Sequence, residues 1–268
     1  MRTCPFNYTG SKSDYPELHY ISEPVVDLFG GGGGFWSNIK SDMIVVNDAN
    51  EALIKFQEMI YNADDAEYSE IVKRLYGETD AINTKEEFEL LRDKYNETKD
   101  PLLFMCLVST CTNNMVRFNK SWGFNQTWGK RKFNKSTNAK LDDFRNRIKG
   151  KNITFRSGSY LDISGFDDML FFVAPPYLIS AAVYNVGWNE KDEAKLYDFL
   201  KNKRFVMTNF LRRGDLYNEL LRKAIADNGW SYETLRRGKM TAQKDRDATF
   251  DEIVVSSDAS MTEKIFYR

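Results

Sequence analysis

Apolar residues in this chain fall into short runs and longer, helically spaced stretches. Runs at 25–29, 43–46, 152–155, 169–173 and 204–209 predict strands, and 230–235 with 250–256 predict two more around a Lys- and Arg-rich loop at 236–249. Met169-Leu-Phe-Phe-Val173 is unbroken rather than alternating, the mark of a parallel strand buried on both faces. Helical spacing recurs at 52–61, 66–75 and 85–95, where Thr84 stands as a cap before the acidic first turn Lys85-Glu86-Glu87. Further helices are expected from Asn189 to about residue 202, from 216 to 227 with Asn228-Gly229 as the stop, from about Phe35, and briefly after Pro16.

Strands and helices alternate up to about residue 49 and again after 149, but not between. This predicts an α/β fold with a Rossmann-like sheet formed by 1–54 and 150–268, and an inserted helical domain at 55–149.

Composition narrows the function. With 268 residues and 42% hydrophobic content the chain can bury a real core, and its net charge of -1 leaves nucleic-acid binding to local basic patches. Three cysteines without metal-ligand spacing and a single histidine, His19, argue against a His-based zinc site or a Ser-His-Asp triad. They suit a reducing cytoplasm. No run is long enough to cross a bilayer and no secretory signal is visible, so the expectation is a cytoplasmic protein without metal or membrane partners.

Chemistry concentrates at a few places. Val25-Val26-Asp27-Leu28-Phe29 runs into five glycines, Gly30 to Gly34, where positive φ and close approach of a ligand to backbone amides become possible. Phe35 occupies the place of a third fingerprint glycine and no Gly-Lys-Ser/Thr follows, so this is neither a dinucleotide fingerprint nor a P-loop. The second strand ends in Asn47-Asp48, at the spacing of a ribose-binding acid. The combination implies an adenosine-bearing ligand, and S-adenosylmethionine, which carries no phosphate, needs no pyrophosphate cradle. Asp162 falls where an acid or its backbone could approach the adenine.

The segment from Thr112 to Lys132 mixes aromatics, amides and five basic residues without one acid. Such a mix suits nucleic acid: Arg and Lys for phosphates and guanine edges, Asn and Gln for adenine edges, aromatics to wedge or stack. Its two glycines fit a β-hairpin. The fourth strand in the series ends in Ala174-Pro175-Pro176-Tyr177, where two prolines stop the strand and present rigid carbonyls at its carboxyl end.

These motifs, with Asn7-Tyr8-Thr9-Gly10-Ser11-Lys12 at the start, occur in the order found in Dam-type DNA adenine N6-methyltransferases, and the chain resembles that family, its phage members especially, over nearly its whole length. Only 259–268 look additional. The resemblance implies an S-adenosylmethionine-dependent sheet domain and a helical target-recognition domain carrying the hairpin, with S-adenosyl-L-homocysteine as product. It implies cofactor contacts from Tyr8, Lys12, Asp27, Phe29, Gly31, Gly33, Asp48 and Asp162. It implies that Asn113, Met115, Arg117, Asn119, Asn125, Trp128, Lys130 and Arg131 read and clamp a GATC-like site in double-stranded DNA and help eject the adenine, the enzyme acting as a monomer or DNA-dependent dimer. Family members often carry Phe-Asn-x-Pro-x-Gly in the hairpin, and Phe124-Asn125-Gln126-Thr127-Trp128-Gly129 lacks the proline.

The family's catalytic motif is Asp-Pro-Pro-Tyr, and here its first position is Ala174, followed by Pro175, Pro176 and Tyr177. The implied role of that carboxylate and the first proline carbonyl is to accept the two hydrogens of the adenine amine; an alanine methyl accepts nothing. Three readings follow: a methyltransferase inactivated by an Asp→Ala substitution, a naturally non-catalytic homologue that occupies or shields adenine sites, and an N4-cytosine enzyme, in which serine is usual at this position.

Overall fold

The computed structural model describes residues 4–6, 8, 10–180, 187–239 and 249–266. Its centre is a sheet in the order β3-β2-β1-β4-β5-β8-β7, with the two-residue β6 (Leu216–Tyr217) paired to β5. β1 (Val25–Asp27), β2 (Met43–Asp48), β3 (Asn152–Ser157), β4 (Leu170–Val173) and β5 (Phe205–Arg213) are mutually parallel. β7 (Ser231–Lys239) and β8 (Thr249–Ser256) complete it, β8 running antiparallel to both neighbours.

Strand order reverses between β1 and β4, because the chain first builds outward through β2 and β3 and then restarts on the other side of β1. In open α/β sheets the crevice at such a reversal is the ligand site. Here the register pairs Asp27 with Phe172, and the Leu28 amide donates to the Phe172 carbonyl at 3.0 Å. The glycine loop and the Ala174 motif therefore leave the sheet side by side.

Alternation of side chains places Val25, Ile44, Val46, Leu170 and Phe172 in one core and Val26, Val45, Phe171 and Val173 in another. Burial on both faces explains why the β1 and β4 runs read as continuously apolar. The second core is covered by α6 (Glu190–Leu200) and α7 (Glu219–Asn228), both capped as the sequence predicts. Asn189 forms a capping box with Asp192, and Gly229 ends α7 in the left-handed conformation. Residues 216–217 pair as β6 instead of beginning that helix, which starts only after the Asn218 cap.

Five helices intervene between β2 and β3: α1 (Glu51–Asn62), α2 (Asp65–Asp80), α3 (Lys85–Thr98), α4 (Pro101–Thr110) and α5 (Lys135–Ile148). Residues 102–110 of α4 are all buried, and α1, α2 and α3 pack around that helix. Asp100 caps α4 and Pro101 fills its first turn, where no amide is needed. Its apolar surface is continuous with the core on the β1 face.

Two expected helices are absent. Residues 31–39 form turns, held by backbone bonds from Gly33 to Gly30, Ser37 to Gly33 and Asn38 to Phe35. The consecutive glycines disfavour helix, while Phe35 stacks on Phe172 and Trp36 lodges between Phe144 and Phe155. After Pro16 there is a single 3-10 turn, Leu18–Tyr20. β7 extends to Lys239, into the basic loop expected at 236–249, of which residues 240–248 lie outside those described. The terminal segment forms α8 (Ala259–Phe266), packed on β7 and β8 through buried Met261 and Ile265.

Candidate active site at the β1 and β4 carboxyl ends

The glycine loop is held by what surrounds it. Gly31 and Gly33 take positive φ of 49° and 81°. A Cβ on Gly31 would lie 2.8 Å from the Tyr8 ring, and one on Gly32 2.6 Å from Cys4 Sγ. The loop thus needs glycine both for its backbone and for close packing. Asn47 ties it to the sheet edge, its amide donating to the carbonyls of Leu28 at 3.1 Å and Gly158 at 3.3 Å.

Asp48 closes the same corner. Its carboxylate accepts the Gly31 amide at 2.8 Å and the Asn50 amide at 2.8 Å, one on each oxygen. Burial raises its pKa, opposed by those two bonds. Asp27 is more deeply placed, with the Phe29 amide 3.3 Å from Oδ1, and burial lifts its pKa well above the usual carboxylate range. Phe29 turns the other way, against Tyr160 at 5.4 Å and Trp188 at 5.9 Å. Asp162 ends the Tyr160–Asp162 turn in an exposed position.

Across the crevice, Ala174 is half-buried against the β1-face core and Pro175 is buried. The Tyr177 hydroxyl donates to Glu252 Oε1 at 2.6 Å, and the Thr208 hydroxyl, 3.0 Å away, can donate to the phenol oxygen. Lys12 Nζ lies 3.3 Å from the same carboxylate and 5.1 Å over the Tyr177 ring, and Tyr15 reaches the other oxygen at 2.5 Å. Phe210 meets the Tyr177 ring edge-on at 4.8 Å. Burial, then the neighbouring Glu252 charge, pushes the Tyr177 pKa far up, so the phenol stays protonated.

Lys12 and Tyr177, far apart in sequence, are thus joined through Glu252, which is 3% exposed. Neither Glu252 nor Tyr15 was a sequence candidate. The available signal was an acid followed by the apolar run Ile253-Val254-Val255.

The recognition candidates occupy an arm between α4 and α5. The expected hairpin is reduced to two antiparallel bridges, Cys111 with Trp128 and Phe118 with Phe124. Its anchor is Phe124, fully buried beside Tyr95 and Phe104, with Asn96 of α3 bonding both its amide at 2.7 Å and its carbonyl at 3.2 Å. Asn119 holds the tip, its side-chain oxygen accepting the amides of Ser121 and Gly123. Arg117 is bonded to Asn125 through Nε at 2.9 Å, and Arg131 to Asn114, which also caps the end of α4. Lys130 lies over the Trp128 ring, Asn113 takes φ 59°, and Met115 is half-buried. Lys132 faces inward, donating to the Thr79, Asp80 and Ile82 carbonyls at the end of α2.

Against known families, residues 8–242 match the model of the D12 class N6 adenine-specific DNA methyltransferases. The chain belongs to that class. It is 29% identical over 239 residues to the type II methyltransferase M.FokI of Planomicrobium okeanokoites, covering 81% of this chain and 37% of that one. With the modification methylase LlaI of Lactococcus lactis it shares 29% over 253 residues, covering 86% and 40%. With the DNA adenine methylase of Serratia marcescens it shares 26% over 167 residues, 60% of each. The chain therefore spans about two-fifths of the length of the first two. None of the three is a phage protein, so they leave the phage likeness untested.

D12-class enzymes draw their methyl group from S-adenosylmethionine. The donor set suits it: each Asp48 oxygen retains a lone-pair direction for a ribose hydroxyl, and the Gly31 amide brings the glycine loop against the same carboxylate. Among the described residues no His, Cys, Asp or Glu group could hold a metal, and no helix is long and apolar enough to cross a membrane.

Proposed function

We propose that the protein is a site-specific DNA adenine N6-methyltransferase scaffold for a GATC-like site, using S-adenosylmethionine, whose present copy is impaired at Ala174. In this reading 1–54 and 150–268 form the catalytic domain and 55–149 the target-recognition insert. The observation that carries it is the convergence of the glycine loop, Asp48 and Ala174-Pro-Pro-Tyr177 on the crevice where strand order reverses.

Asp48 holds the ribose hydroxyls, and Tyr8, Lys12, Asp27, Phe29, Gly31 and Gly33 shape the rest of the cofactor site, with Asp162 near its adenine. The cofactor supplies an activated methyl on a sulfonium. The target adenine leaves the double helix to be reached, and Tyr177, pinned by Glu252, offers a ring on which it stacks. The amine is a weak nucleophile because its lone pair is delocalised into the ring. The Pro175 carbonyl accepts one of its hydrogens. The second acceptor, a carboxylate at position 174 in the family motif, is missing, and loss of one preorganised partner costs about 10² to 10³ in rate.

Asn113, Met115, Arg117, Asn119, Asn125, Trp128, Lys130 and Arg131 form the DNA-facing set, and the protein acts as a monomer or a DNA-dependent dimer. Ala174 itself favours a second reading, a natural DNA-binding homologue that occupies adenine sites without modifying them. Ala174→Asp separates the two: methylation appearing in the variant supports the impaired enzyme, and none supports the binding protein.

A further inference from the structure

A cavity of about 350 Å³ opens where the arm meets the carboxyl edge of the sheet, a size typical of small-ligand sites, about 300 to 1,000 Å³. Its sheet side is formed by Ala49, Ser157 and Gly158, and its far side by Lys99, Phe118 and Trp122. Ala49 follows Asp48 directly, and the Gly158 amide donates to the Asp48 carbonyl at 3.1 Å. The cavity therefore starts at the acid proposed to hold the ribose. A ribose bonded there projects its base into this space, whereas a DNA nucleotide has no 2′-hydroxyl for the same bond.

Trp122 is unusual in two independent respects. It is 53% exposed, and its φ of 57° lies in the left-handed region, where bulky residues are outliers. Strain of this kind persists where surroundings impose it and gathers at ligand sites. Here the Trp122 amide donates to Asn119 at 3.1 Å, Lys99 Nζ donates to its carbonyl at 3.2 Å, and its ring meets Phe118 at 6.1 Å.

We propose that Trp122, backed by Phe118, is the aromatic wall of the cofactor's purine subsite, so that the arm assigned to DNA also closes over the adenosine. This rests on the assignment of Asp48 to the ribose. Because Trp122 shares its arm with Arg117 and Arg131, cofactor packed on it fixes the arm, and occupancy of one site strengthens binding at the other by the same factor.

The test is calorimetric titration of S-adenosylhomocysteine, without DNA, into the full chain and into Trp122→Ala, Trp122→Phe and Asp48→Ala. Trp122→Ala is expected to bind about 5- to 100-fold more weakly, as for one lost base–aromatic stack. Trp122→Phe should keep most of the affinity. Fluorescence quenching by the ligand should be present in the parent and lost in Trp122→Phe, which decides the matter even where Trp122→Ala folds poorly. Undiminished affinity in Trp122→Ala beside a weak Asp48→Ala overturns the arm's role and leaves the cofactor site standing. A parent that does not bind, or an Asp48→Ala that binds as the parent does, overturns both.

Discussion

The Tyr177 hydroxyl and the Glu252 carboxylate stand 2.6 Å apart, joining the tyrosine of the Pro-Pro-Tyr motif to β8. The same carboxylate carries Lys12 at 3.3 Å and Tyr15 at 2.5 Å. Lys12 and Glu252 have side chains 6% and 4% exposed, so each is the other's compensation in a poorly solvated place. Removing one partner of such a pair costs about 3 to 5 kcal/mol, whereas replacing both with apolar groups is often neutral.

Glu252→Ala should therefore lower the free energy of unfolding by about 3 to 5 kcal/mol, and adding Lys12→Met should recover much of it. Urea denaturation of the two single variants and the double variant measures this. Additive losses would mean that the pair is not coupled.

Asp27 gives the stability a pH signature. Unfolded, its carboxyl titrates near 3.8; folded, burial makes it bind its proton more tightly. Between the two pKa values the folded state holds more protons, so stability falls as pH rises through that window. Asp27→Asn removes this dependence. Its stability relative to the parent should improve from pH 4 upward and level off above the folded pKa, as read by urea midpoints at stepped pH. A difference independent of pH would contradict the burial argument.

Much of the fold was legible because its signals are local: the apolar runs of β1 and β4, the Thr84 and Asn189 caps, and Gly229 as a stop. The expected helix after the glycines failed because tertiary burial of Phe35 and Trp36 outweighed spacing. In the candidate site, Asp48 and the Pro-Pro-Tyr motif could be read from strand ends, where ligands gather in such sheets. Glu252 could not, because its partners Lys12 and Tyr177 lie 240 and 75 positions away in the chain. Likewise, nothing in the basic arm distinguishes Lys132, which caps α2, from Arg131 beside it.

That distinction is testable on DNA. Arg117→Ala and Arg131→Ala should each weaken binding by about 1 to 3 kcal/mol if they contact base edges, with relaxed preference at one position. Lys132→Met should leave DNA affinity nearly unchanged and lower stability, since it deprives the α2 carbonyls of a charged donor. Binding titrations beside urea midpoints separate the two effects. Unchanged affinity and preference in both arginine variants would remove the arm from recognition.

The central claim is that one carboxylate separates this chain from a working enzyme. Ala174→Asp, incubated with S-adenosylmethionine and a GATC-containing duplex, should form N6-methyladenine at least about 10²-fold faster than the Ala174 chain, the cost of one missing preorganised acceptor. Product that is N4-methylcytosine, or no methylated base at all from a folded, cofactor-binding variant, would contradict the account.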